Sequence, residues 1–237
     1  MTTYAAALAV GALASLRAGE ALETVECRRP RRVIKRELRA AAEPFRHSVL
    51  GEEAMSTAVG RCVNELLGPR AETIGEQLRA VEEVLRHRAR GGPALWLHAI
   101  DEWAGRSELP MGAVASLHDI AARVARAEGE LRAIGILGPD EVVPTLLGCH
   151  WGEGVHLARG ALEVGWLERA RGLDFLRRAG ELAYRWYPSY RGLLAAQLLP
   201  ACLGGDADTL RWAAAAVPPL VTRWGSPDRS SRPAPLN

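Results

Sequence analysis

Apolar side chains recur along this chain at the spacing of a coil of 3.6 residues per turn, and no stretch alternates with the period of two that a half-buried strand requires. Over 74–85, Ile74, Leu78, Val81 and Leu85 follow at steps of four, three and four, while Glu76, Arg79, Glu82, Glu83 and Arg86 lie mainly elsewhere on the wheel. The pattern predicts an amphipathic helix that ends before Gly91-Gly92-Pro93. No Asn-Gly or Asp-Gly step joins two β-branched runs, so no hairpin is expected.

The same reading predicts helices over 4–16, 31–49, 52–67, 71–90, 94–104, 111–134, 150–164, 167–186, 189–203 and 206–223. The fold class is therefore all-α, a multi-helix globular bundle of about nine to ten helices with no significant sheet. Gly68-Pro69 and Gly138-Pro139 each set a helix stop beside a helix start, and Asp140 and Glu141 suit the positive end of a helix following Pro139. Gly165 and Gly204-Gly205 are natural C-terminal stops. The expected organisation is an N-terminal helical region over 1–92, a C-terminal helical domain over 93–224 and a flexible tail over 225–237, whose proline and serine residues offer little to bury. Trp151, Trp166, Trp186, Trp212 and Trp224 place the larger core in the C-terminal part.

With 48% hydrophobic and 24% charged residues the chain can build a core without metal or disulfide. Cys27, Cys62, Cys149 and Cys202 form no CxxC pair, which excludes a zinc knuckle or thioredoxin-like motif and fits reduced thiols in a cytoplasm. The apolar stretch 4–16 is too short to span a bilayer, which needs roughly 20 residues. A net charge of +2 gives no general attraction for polyanions, so such a partner would need a local patch. No Walker loop, dinucleotide glycine fingerprint, HExxH or G-x-S-x-G elbow occurs, and no cofactor or metal is expected.

Part of the chain resembles a known family. Leu157-Ala158-Arg159 and Gly165-Trp166-Leu167, followed by Pro188-Ser189-Tyr190 and later Ser226-Pro227, are similar to the core of the bacterial domain-of-unknown-function 1266 family. In this register Cys149, His150 and Glu153 stand where that family carries Trp, Asp and Arg. The resemblance spans roughly the last hundred residues, leaves the first ninety aside, and implies an all-helical fold without a particular activity.

Three candidate sites emerge. The stretch from Cys149 to His156, with Arg159, holds a thiol, two imidazoles and a carboxylate that could serve a metal or a nucleophile pair. Against this, His150, Glu153 and His156 walk round a helix in steps of about 60° rather than sharing one stripe, and Gly152 and Gly154 weaken the helix locally. The commoner role for the stretch is a helix start that packs Trp151 into the core. Second, Arg28, Arg29, Arg31, Arg32, Lys35, Arg36 and Arg39 form a basic run; Arg32, Lys35, Arg36 and Arg39 share a face opposite Ile34, Leu38, Ala41 and Phe45. Such a face suits an anionic partner, nucleic acid or membrane surface, or a solvated exterior; no aromatic residue interleaves the cations in sequence. Third, His98 with Asp101 and Glu102, and His118 with Asp119, suit helix-surface ion pairs.

No convergent polar constellation is evident from these patterns. The sequence therefore favours an interaction or regulatory module that contacts another protein, with nucleic acid not the expected partner. The alternatives are an enzyme whose pocket assembles from His150, Glu153, His156 and Arg159 with side chains of the N-terminal half, and binding of an anionic partner through the basic helix.

Overall fold

A computed structural model describes residues 4–45, 52–68, 76–88 and 93–224. Its elements are α1 (Ala5–Val10), α2 (Ala12–Arg17), α3 (Arg31–Ala42), α4 (Glu52–Leu66), α5 (Glu76–Arg86), α6 (Pro93–Arg106), α7 (Met111–Ala133), α8 (Leu147–Val164), α9 (Arg169–Trp186), α10 (Tyr190–Leu203) and α11 (Ala207–Trp224), with a short 3-10 turn at Glu43–Phe45. Among the described residues there is no strand, and no helix is long and apolar enough to cross a membrane. The expected flexible tail over 225–237, residues 46–49 of the helix placed over 31–49, residues 71–75 and 89–90 of the one placed over 71–90, and the Gly91-Gly92 break lie outside them.

Helix α8 is the hub. It packs against α1, α2, α3, α4, α9 and α10, while α7 joins α5 and α6 to α10. One cluster of buried apolar residues runs from Ala7 through Ile34, Val63, Val84 and Val124 to Trp151, Leu194 and Val217. Helices from the first ninety residues thus pack directly on α8 and α9. Such close approach requires small residues on the hub. A side chain at Gly152 would place its Cβ 2.8 Å from the Gln197 amide nitrogen and 3.2 Å from the Val10 carbonyl oxygen, so the glycine that weakens the isolated helix lets α1 and α10 close on it. At the other end Gly165 (φ 78°) ends α8 in the left-handed conformation, and Trp166 N–H donates to the Ala161 oxygen (2.9 Å) as a Schellman turn requires.

The structure departs from the sequence expectations in four places. The helix expected over 4–16 breaks at Gly11, where α8 presses in; a Cβ there would meet Val155 Cγ1 at 2.4 Å. No helix follows Pro139. The chain is irregular until Leu147, because the Val143 N–H is taken by buried Glu128 (2.8 Å) and the Leu146 N–H by buried Glu82 (2.7 Å). Glu82, placed by periodicity on the outer face of its helix, is 1% exposed and also accepts from the Thr145 hydroxyl (2.6 Å). Finally, Trp186 is exposed rather than part of the tryptophan core, whereas Trp151 and Trp166 are buried.

Candidate functional site

A cleft of about 300 Å³ opens between α2, α3, α8, α10 and α11. Its α8 wall is the stripe Cys149, Gly152, Glu153 and His156, spaced i, i+3, i+4 and i+7, which is one face of a helix. The stripe that matters therefore starts one residue before His150. Opposite stand Arg17 and Ala14 of α2, Glu37 of α3 and Gln197 of α10, with Trp212 of α11 and Arg29 from the segment preceding α3.

One polar chain ties three parts of the fold together at this wall. Arg29 Nε meets Glu20 Oε1 at 2.7 Å and Arg29 Nη2 meets Glu37 Oε2 at 2.8 Å. His156 Nε2 lies 3.2 Å from both Glu37 Oε1 and Arg29 Nη2. His156 is 4% exposed, and its Nδ1 is buried without a hydrogen-bond partner. The ring is thus held in place from one side only.

These contacts split the carboxyl groups of the cleft. The bond from His156 is the main cause that lowers Glu37 to a pKa of about 2, against burial and with help from Arg29. Glu153 moves the other way: its setting in the concave wall desolvates the charge and raises its pKa, with His156 opposing and Glu37 reinforcing. Burial pushes the Cys149 thiol up to about 11, Glu153 adding and Arg17 opposing, so the sulfur is a neutral thiol and not an activated nucleophile.

The Glu37 shift has a pH consequence. A carboxylate whose folded pKa lies below its ordinary value of 4.5 stabilises the fold fully above that pH and loses the effect as pH falls toward about 2. Glu37→Gln is expected to melt below wild type at neutral pH, with the gap closing between about pH 4.5 and 2. Thermal midpoints across that range check it; a gap that stays constant would show that the Glu37 charge is not what the fold uses.

Arg159 is not in the cleft. It is 1% exposed and donates to Ser15 Oγ (2.6 Å), the Ala21 oxygen (2.7 Å) and the Glu26 oxygen (3.2 Å), clamping the 18–30 segment from beneath. His150 also stands outside the cleft; burial lowers its pKa and the charge of Glu82 opposes. Of the pocket expected from His150, Glu153, His156 and Arg159, the structure brings together Glu153 and His156. Among the described residues no group of three His, Cys, Asp or Glu side chains is placed to hold a metal.

The basic run divides. Arg29 leaves it for the cleft, and Arg31 donates to the Glu163 carbonyl oxygen (2.7 Å). Lys35 Nζ and the Arg39 guanidinium each lie 5.4 Å from the centre of the Trp166 ring, so an aromatic residue distant in sequence does interleave two of the cations. Arg32 and Arg36 are exposed and make no hydrogen bond or ion pair with a described residue. Of the motif residues, Leu157 and Ala158 are core, Gly165 and Trp166 end α8, and Ser189 caps α10 by accepting from Gly192 N–H (2.9 Å). On α6 and α7, His98 pairs with Glu102 (3.6 Å) at the surface and His118 Nε2 lies 2.8 Å from Asp101, a charge contact without hydrogen-bond direction; Asp119 takes no part.

No family model, curated protein or solved structure matches the chain.

Proposed function

We propose that this chain binds a small polar molecule in the cleft between α2, α3, α8, α10 and α11. The observation that carries the reading is convergence: Arg17, Arg29, Glu37, Cys149, Glu153 and His156 come from four parts of the chain to line one hollow. A concave site with a few convergent polar groups of perturbed pKa is the usual form of a ligand or active site. About 300 Å³ sits at the small end of such sites and suits a metabolite rather than a peptide.

The sequence favours contact with another protein; the convergence of polar groups on one hollow supports the pocket alternative instead, with Glu153 and His156 kept and Arg17, Arg29 and Glu37 in place of His150 and Arg159. Glu153 is the group best suited to exchange a proton with a bound molecule, because desolvation raises its pKa above the ordinary carboxylate value while Glu37 stays ionised.

Ala14→Phe tests this, since Ala14 lines the cleft and is half-buried on a helix surface. Purified wild type and variant, each verified as helical by circular dichroism, are equilibrated with a small-molecule extract of the host. A compound retained by wild type and reduced about tenfold or more in Ala14→Phe is expected. Equal retention by both proteins, or none by either, would remove the reading.

A further inference from the structure

Resting on that reading of the cleft, we infer that its ligand is a small zwitterion, a molecule carrying an amine and a carboxylate. Arg29 is held between Glu20 and Glu37, and Glu37 is held between Arg29 and His156. Those groups neutralise one another within the chain and have little left to offer a ligand.

Two charges are uncommitted. Glu153 lines the cleft and makes no hydrogen bond or ion pair with any described residue. Arg17 lines it from the other side; it bonds the neutral Thr209 hydroxyl and makes no ion pair with a described carboxylate. Asp206, whose pKa the Arg17 charge helps to lower, is occupied by the backbone N–H of Thr209 (2.9 Å) and by the Thr209 hydroxyl. The Arg17 guanidinium carbon sits 5.3 Å from the centre of the Trp212 ring, a cation–π contact that helps hold the side chain at the cleft.

Cys149 lines the same hollow. Its thiol feels the fields of both Glu153 and Arg17, so one free negative and one free positive group flank a neutral surface within the same hollow. A monoanion would satisfy Arg17 and meet Glu153 as a like charge, and a monocation would do the reverse. A molecule with both charges satisfies both. The buried, unpartnered Nδ1 of His156, the neighbour of Glu153 along the stripe, marks a polar group the chain itself leaves unpaired.

The test uses the full chain and six probes. Glycine, β-alanine and γ-aminobutyrate vary the charge separation; butyrate and butylamine carry one charge each; butyramide carries none. Binding is read from chemical-shift changes of the Leu13 and Leu198 methyl groups, both of which line the cleft. At least one zwitterion is expected to bind about tenfold or more tightly than any singly charged probe, roughly one charge-assisted hydrogen bond. Glu153→Gln is expected to erase its advantage over the carboxylate probe, and Arg17→Gln its advantage over the amine.

Butyrate binding as tightly as every zwitterion, or zwitterion affinities unchanged by Glu153→Gln, would overturn the ligand class and leave the cleft reading standing. Methyl shifts by none of the zwitterions also overturn the class, while the cleft itself is decided separately by the Ala14→Phe comparison. Both substitutions lie at solvent-exposed positions, and retained helicity separates a lost contact from a lost fold.

Discussion

Replacing Arg159 by methionine is expected to destabilise the folded chain by about 3 to 5 kcal/mol, a large share of the roughly 5 to 15 kcal/mol that holds a typical domain folded. Methionine keeps much of the aliphatic stem, so the loss falls on the guanidinium and what it holds. Fully buried Ser15 Oγ and the part-buried Ala21 and Glu26 carbonyl oxygens lose their donor. Glu20, 5% exposed, loses one of the two guanidinium groups whose charge lets it stay ionised there; burial alone would raise its pKa, and Arg29 with the Arg28 N–H now outweighs that. Cys27, whose thiol burial pushes up to about 12, offers no replacement charge. The damage should spread to the cleft, because the 18–30 segment released from Arg159 is the one that delivers Arg29 to Glu37 and His156. Urea unfolding of wild type, Arg159→Met and Arg159→Lys measures this, with lysine recovering less than half because a point charge cannot serve three separated acceptors. A loss below about 1 kcal/mol for methionine would mean that packing around α8, and not this clamp, fixes the segment.

The helices were legible because their apolar stripes are local: Ile34, Leu38 and Ala42 of α3, or Val81, Val84 and Leu85 of α5, announce a buried face within three turns. What escaped is polar and nonlocal. Glu82 meets Thr145 and Leu146 more than sixty residues away, Arg159 meets Ser15 across most of the chain, and nothing in a helical wheel separates such a residue from a solvated one. The cleft was half visible. Glu153 and His156 stood among the candidates, but the step from His150 gave the wrong stripe, and counting from Cys149 would have given the right one. Glu37 carried a signal too, as the lone carboxylate inside a run of seven cations between Arg28 and Arg39. Arg17, at the end of a short apolar helix, carried none.

Glu128→Gln is expected to cost a similar amount, about 3 to 5 kcal/mol, through a second buried ion pair. Glu128 is 1% exposed on α7 and receives Arg88 at both oxygens (2.6 and 2.8 Å), Arg132 at 3.4 Å and the Val143 N–H at 2.8 Å. The pair joins the end of α5 to α7 and holds the irregular stretch before α8. Arg88 is also fixed from above, its guanidinium carbon 4.2 Å from the centre of the Trp96 ring, while Trp96 donates to the Val84 oxygen (2.9 Å). Glutamine retains the volume and one acceptor but leaves the Arg88 charge inside without an anion. The decisive comparison is the double variant Arg88→Met with Glu128→Leu. Removing both charges should return much of the loss, leaving roughly 1 to 3 kcal/mol for the unpaired Val143 N–H. A double-mutant cycle is expected to give a coupling of about 2 kcal/mol or more; a value near zero would assign the union of α5 with α7 to apolar packing alone.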